Sequence, residues 1–205
     1  MQSAALSEKY DRAAPVWNDK IRLLGYYDAY LGFLASQTLR ANAGHRVIDV
    51  GCGTGAFADA WAAIHGPDQR ISLLDMSEKM LKHAASQLER RGIVPTLISK
   101  ALQDHSSVDG VDTVLAAHVI EHVPQPENAL RDMRALCRTG GHLWLIASKP
   151  HWCNAIIWFQ WRHRAYDPAR VKKMLAESGW DLVTDYAFPS GPASRTSRGY
   201  FARAV

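Results

Sequence analysis

One stretch, "VIDVGCGTGAFADAW" from Val47 to Trp61, restricts the fold more than any other in the chain. Gly51, Gly53 and Gly55 fall within five residues, directly after an apolar β-branched run and directly before an amphipathic, helix-like segment. A buried strand that turns this sharply into a helix needs backbone conformations that residues with a Cβ adopt poorly. The helix that follows aims its unpaired N–H groups back at the turn, where they favour an anionic or polar ligand. The strand–turn–helix unit belongs to α/β architecture.

The rest of the chain keeps the same alternation. A helix is predicted over Tyr26–Ala41, a strand over Val47–Val50 and a helix over Gly55–Ile64 that stops at Gly66-Pro67. A second strand, Ile71–Asp75, precedes a helix capped by Ser77 and stopped at Gly92. Further strands are predicted over Val94–Ile98, Thr113–Val119 and His142–Ala147. A helix with Pro126 in its first turn is expected to run to Gly140-Gly141, and another to run from Asp167-Pro168 to Gly179. The last two strands, about Trp180–Phe188 and Gly199–Ala204, show no helix between them and so predict an antiparallel hairpin. The fold class is α/β: a Rossmann-like, seven-stranded, mostly parallel sheet with helices on both faces and a C-terminal antiparallel hairpin. Ligands bind such sheets beyond the carboxyl ends of the strands, so functional residues are expected after Val50, Leu74, Ile98, Ala117 and Ala147.

At 205 residues, 47% hydrophobic and 21% charged, the chain reads as one soluble domain. Residues 1–45 are expected to form an N-terminal helical cap and residues 148–166 a lid inserted after the fifth strand. No apolar run approaches the roughly 18 residues of a membrane span, and the N-terminal residues do not read as a secretory signal. Cys52, Cys137 and Cys153 are scattered and odd in number, which fits a reducing, cytoplasmic setting and gives no zinc spacing. The net charge of +4 is compatible with an anionic partner without choosing one.

The turn alone does not name a cofactor. A nicotinamide site shows its third glycine at the place Ala56 holds here, although some such sites tolerate alanine. Asp75 ends the second strand, where an acid accepts hydrogen bonds from both ribose hydroxyls of a nucleoside. Taken with "LLDMSEKMLKHA", "VDTVLAAHVIEHVPQPENAL" and "RTGGHLWLIAS", the Asp49–Gly55 motif resembles the class I S-adenosylmethionine-dependent methyltransferases over Val47–Ser148. The N-terminal "YDRAAPVW" is similar to the start of quinone and phospholipid methyltransferases.

The resemblance implies S-adenosylmethionine as cofactor, S-adenosylhomocysteine as its product, and a small or amphipathic acceptor. Methylation of protein or nucleic acid, or a non-catalytic cofactor-binding module, is the runner-up. By the same resemblance Gly51, Gly53 and Gly55 pass under the methionine part, Asp49 orients the loop, Asp75 holds the ribose and Met76 packs on adenine. Ala101 and Leu102 edge the adenine, His118 approaches the methionine end, and Tyr10 and Trp17 close the site from above. The family acid expected early in the segment after the third strand is missing, and Asp104 arrives late.

"HVIEH", His118 to His122, matches a zinc-peptidase pattern, but that chemistry needs both histidines on one helix face, and here the pattern straddles a strand end. Some quinone-type relatives carry E-x-x-E-H at this place and use magnesium. Histidine replaces the first glutamate here, and hard cations prefer oxygen, so a metal-free site is expected. His118 and His122 are the candidate bases, beside the alternative that His122 is a structural loop residue.

The segment after the fifth strand carries His151, Trp152, Trp158, Trp161 and Arg162. It reads as a lid packing on the core, as a lining for an aromatic or lipid-like acceptor, or as a helix in peripheral contact with a membrane. Arg195 and Arg198 lie between the last two strands and, with Arg162, are candidates for an anionic group on the acceptor. With no separate basic domain, nucleic acid is not the expected partner. The oligomeric state is open.

Overall fold

The computed structural model describes residues 22–37, 45–104, 110–151 and 164–205. Helix α1 (Tyr26–Gln37) precedes β1 (Arg46–Val50), α2 (Ala56–His65), β2 (Arg70–Asp75), α3 (Glu78–Glu89) and β3 (Thr96–Ser99). After a short 3-10 turn at Leu102–Asp104 come β4 (Val111–Ala117), α4 (Pro126–Leu136), β5 (Cys137–Ser148) and α5 (Pro168–Glu177). The chain ends with β6 (Trp180–Tyr186), α6 (Gly191–Thr196) and β7 (Ser197–Ala204).

The seven strands lie in the order β3-β2-β1-β4-β5-β7-β6. Strands β1 to β5 are parallel, and β7 runs antiparallel to both neighbours, β5 and β6. The order reverses between β1 and β4, which opens a crevice at their carboxyl ends.

Strand alternation sorts the core into two layers. Val47, Leu73, Leu115, Trp144 and Phe201 face α1, α2 and α3. Ile48, Val50, Val114, Leu145 and Tyr200 face α4 and α5. Both layers place large side chains out of water: Trp61, Trp144 and Trp180 are fully buried, each burial worth on the order of 2–3 kcal/mol. Trp61 and Trp180 also satisfy their indole N–H groups, on Gln69 Oε1 at 3.2 Å and Leu130 O at 3.0 Å.

Several expected boundaries move. Helix α4 stops at Leu136 instead of reaching Gly140-Gly141, and Cys137 already opens β5. The two glycines form an irregularity inside the strand: a Cβ on Gly141 would meet Cys137 Sγ at 2.6 Å and Asp112 O at 2.7 Å. Only glycine lets the backbones approach so closely there. The third strand is Thr96–Ser99, and Val94 is exposed. The fourth ends at Ala117 because His118 turns into the left-handed region at φ 58°. Helix α1 is described to Gln37, and the remainder of the expected helix lies outside the described residues.

The expectation of a last hairpin without a helix is also corrected: α6 connects β6 to β7. The sequence leading into it, Pro189-Ser190-Gly191-Pro192, reads as loop, but a proline in the first turn is compatible with a helix start. The correction matters for position. Because β7 sits next to β5, α6 lies at the carboxyl edge of β5, where Lys149 N–H donates to Thr196 O at 2.9 Å and Lys149 Nζ to Ser194 O at 2.8 Å.

Candidate functional site

The glycine turn follows β1 and is tied to the end of β2. Cys52 N–H donates to Leu74 O at 3.1 Å, and Gly53 N–H donates to Asp75 Oδ2 at 2.9 Å. The other oxygen of Asp75 accepts from Ser77 N–H at 2.9 Å. Ser77 in turn caps α3 by accepting from Met80 N–H. One carboxylate thus ties the turn after β1 to the start of the helix after β2.

The three glycines do different things. At Gly55 a Cβ would stand 2.7 Å from Ala84 Cβ, so this glycine lets α2 and α3 pack at short range. At Gly51 it would meet Val119 Cγ2 at 2.8 Å. At Gly53, with φ 52°, it would meet nothing within 4 Å. The open side of the turn is therefore at Gly53, beside Asp75.

Asp49 lies beneath the turn. It is buried, and its Oδ2 accepts from Ala58 N–H at 3.1 Å in the first turn of α2. Burial pushes its carboxyl up to about 8, the Ala58 N–H opposes that shift, and the nearby Asp75 charge adds to it. Met76 is 41% exposed at the outer rim, Leu102 is buried in the turn after β3, and Ala101 precedes it, partly buried.

On the β4 side, His118 N–H donates to Ile146 O at 2.8 Å, and His118 Nδ1 lies 3.2 Å from Glu121 Oε1 and 3.1 Å from Ser148 Oγ. Glu121 is buried and also accepts from Ser148 N–H at 2.6 Å. His118 to His122 form a turn and not a helix, so the two histidines do not share a helix face. Burial holds the His122 imidazole below the usual histidine range; Glu121 opposes that shift and His118 reinforces it. The Tyr26 ring stands edge-on to His118 at 5.9 Å, and its hydroxyl bonds Thr196 Oγ1 at 2.8 Å. Helix α1 therefore reaches over the carboxyl ends of β4 and β5 and touches α6.

A family model described as a methyltransferase domain matches residues 48–143. A ubiquinone biosynthesis O-methyltransferase of Vibrio parahaemolyticus is 32% identical over 102 residues, 49% of this chain and 42% of that protein. A ubiquinone/menaquinone biosynthesis C-methyltransferase of Cupriavidus taiwanensis is 31% identical over 110 residues, 53% of this chain and 45% of that protein. The chain spans about half the length of the curated relatives it matches. Among solved structures, an S-adenosylmethionine-dependent methyltransferase from Clostridium acetobutylicum superposes with TM-score 0.73 at 12% identity, covering 95% of this chain and 98% of that one. Magnesium protoporphyrin IX methyltransferase from Synechocystis, with bound S-adenosylhomocysteine, gives 0.70 at 19% identity, covering 88% and 84%. Over residues 48–143 the chain is thus similar to methyltransferase domains, and its fold is the one these S-adenosylmethionine-dependent methyltransferases share.

In this chain the structure brings Asp49, Gly51, Gly53, Gly55 and Asp75 together on one side of the crevice, and His118 and His122 on the other. Tyr10, Trp17, Trp152, Trp158, Trp161 and Arg162 lie outside the described residues. His151 follows β5, partly buried. Arg195 is exposed on α6, beside an open recess also lined by Ser190, Pro192 and Ser194. Arg198 sits opposite Ala147 in the sheet, but its guanidinium turns to Asp185 on β6. Arg195 and Arg198 therefore differ in their surroundings: Arg195 borders the recess and Arg198 is ion-paired with Asp185.

The chain leaves the sheet at Ser148 and is back beside it at Tyr166, whose N–H donates to Ser148 O at 2.9 Å. The sequence reading missed three residues here: Tyr26, Ser148 and Thr196. Ser148 had a signal, as the last residue of a strand whose carboxyl end faces the crevice. Tyr26 and Thr196 had none, because they meet across 170 positions of sequence.

Proposed function

We propose that the protein transfers a methyl group from S-adenosylmethionine to a small or amphipathic acceptor. The observation that carries the reading is the pairing of Gly53 N–H with Asp75 Oδ2 at the carboxyl ends of adjacent parallel strands. It leaves open space where a Cβ of residue 53 would stand, next to a carboxylate. Each carboxylate oxygen has two acceptor positions, so the two backbone N–H groups on Asp75 do not saturate it for ribose hydroxyls.

In this reading Gly51, Gly53 and Gly55 form the floor for the methionine part, Asp75 holds the ribose, and Met76, Ala101 and Leu102 flank adenine. Asp49 keeps the turn in place through Ala58, and Tyr10 and His118 border the reacting end. The bound cofactor supplies an electrophilic methyl on a positively charged sulfur. The chain's part is to exclude water and align the acceptor with that methyl. His118 and His122 are the candidate groups for handling a proton, while His151, Arg195 and residues of the 152–163 segment border the acceptor. Two of the relatives act in quinone biosynthesis by their names, which supports a small-molecule acceptor. Among the described residues no helix is long and apolar enough to cross a membrane, and we place the protein in the cytoplasm.

Calorimetry with S-adenosylhomocysteine tests the reading. Saturable binding with no response to NAD is the expected result. Binding of NAD with no heat from either sulfur nucleoside would overturn it.

A further inference from the structure

Among the described residues His118 is the one non-glycine residue at positive φ. That conformation crowds Cβ against the backbone, and such strain persists where surrounding contacts enforce it, often at functional positions. The enforcing contacts are specific. His118 N–H is fixed on Ile146 O, and its Nδ1 lies within hydrogen-bond distance of Glu121 Oε1 and Ser148 Oγ. Glu121 is 1% exposed, and the same Oε1 accepts from Ser148 N–H at 2.6 Å. A carboxylate only accepts hydrogen bonds, so the contact to Glu121 Oε1 favours a hydrogen on Nδ1 over a bare Nδ1 accepting from the Ser148 hydroxyl. The neutral ring then has its lone pair on Nε2.

We propose that Glu121 is a positioning residue that holds His118 as its Nδ1–H tautomer, so that Nε2 serves as the base for a hydroxyl-bearing acceptor. The proposal rests on the methyltransferase reading above and narrows its acceptor class. A neutral amine attacks a methyl group with its own lone pair and loses its proton afterwards, whereas a hydroxyl is a weak nucleophile until the proton is drawn off. A histidine fixed in one tautomer by a buried carboxylate suits the second case. The acceptor's O–H bond breaks towards His118 Nε2, and its oxygen bonds the methyl carbon. The carbon–sulfur pair returns to sulfur, leaving a neutral thioether and an imidazolium that later yields its proton to water. Among the described residues, Glu121 and His122 on its own turn, Ser148 from β5 and the Tyr26 ring from α1 face His118. His122 lies next to it, with burial opposing its charged form.

The test is long-range proton–nitrogen NMR of the uniformly nitrogen-15-labelled protein at pH 8, with the His118 signals assigned by their loss in H118Q. Wild type should show the Nδ1–H tautomer, and Glu121→Gln should shift it towards a mixture. An Nε2–H ring in wild type, or an unchanged spectrum in Glu121→Gln, overturns the positioning role without any need for a variant to be active. Calorimetry with S-adenosylhomocysteine on the same samples reports separately on the cofactor reading, and its heat should be equal in both proteins. With catechol as the acceptor probe, Glu121→Gln should lower kcat about tenfold or more at nearly constant KM, a part of the ~10²-fold or greater effect of a general base. Absence of catechol methylation by wild type, or a change confined to KM, overturns the hydroxyl assignment.

Discussion

Gly53 donates its backbone N–H to Asp75 Oδ2 at 2.9 Å, joining the turn after β1 to the end of β2. Asp75→Ala removes that contact, the one to Ser77 N–H and the charge proposed to meet the ribose. Cofactor affinity should fall by about 2 kcal/mol or more, since hydrogen bonds to a charged group are each worth roughly 1.5–3 kcal/mol. Calorimetry with S-adenosylhomocysteine measures it. An unchanged affinity would mean that the nucleoside lies elsewhere.

Two glycine substitutions should separate packing from binding. Gly55→Ala places a methyl 2.7 Å from Ala84 Cβ and 2.8 Å from Ala84 Cα, at φ 83°. Overpacking of this kind costs about 1–3 kcal/mol, and left-handed backbone adds roughly 1–2 kcal/mol. Gly53→Ala meets open space, so only the backbone penalty applies to stability. Denaturant melts should therefore rank Gly55→Ala well below Gly53→Ala. Titration with S-adenosylhomocysteine of whichever variants stay folded should show Gly53→Ala impaired out of proportion to its small loss of stability.

Much of the framework was legible because its signals are local. Ser77 and Asp167 cap the helices expected of them, by accepting from Met80 N–H and Ala169 N–H. Gly66, Gly92 and Gly179 end helices or the turns that follow them, all at positive φ. Asp49, Asp75 and the glycine turn sit within about 25 residues of one another, and strand alternation with the carboxyl-end rule is enough to bring them together. The errors are of two kinds. Gly140-Gly141 looked like a helix stop because glycine marks bulges as readily as helix ends. The acceptor side depends on long-range packing: Tyr26 against Thr196, α6 against Lys149, and Arg198 drawn to Asp185. Nothing in local periodicity encodes those meetings.

The donor set around His118 gives an expectation for metal. A hard cation prefers oxygen ligands, while position 118 offers an imidazole whose Nδ1 faces Glu121 and Ser148. Treatment with a chelator should leave affinity for S-adenosylhomocysteine and methyl transfer to any accepted phenol unchanged, and added magnesium should not shift the melting temperature. Activity lost on chelation and restored by magnesium would assign Glu121 and His122 as ligands after all.

Two aspartates should bend the pH–stability curve in opposite senses. Asp49 is raised in the folded state, to about 8, by burial against the opposing Ala58 N–H. Its protonated form is favoured on folding, so its contribution is full below the unfolded value of about 4 and is lost as pH rises through about 8. Asp185 goes the other way. Burial alone would raise it, but Arg198 and Lys172 outweigh that and hold it below the ordinary carboxylate range. Its contribution is present above the unfolded value and disappears as pH falls through the depressed folded value. Asp49→Asn keeps an acceptor for Ala58 N–H and cannot ionise. Relative to wild type it should gain stability steadily between pH 4 and pH 8, as read from urea melts at several pH values. Arg198→Gln should lose up to about 1 kcal/mol at neutral pH, given a partly exposed ion pair, and nothing once Asp185 is protonated in both states. A flat difference between Asp49→Asn and wild type across this window would show that Asp49 is ionised in the folded protein, held as a carboxylate by the N-terminus of α2.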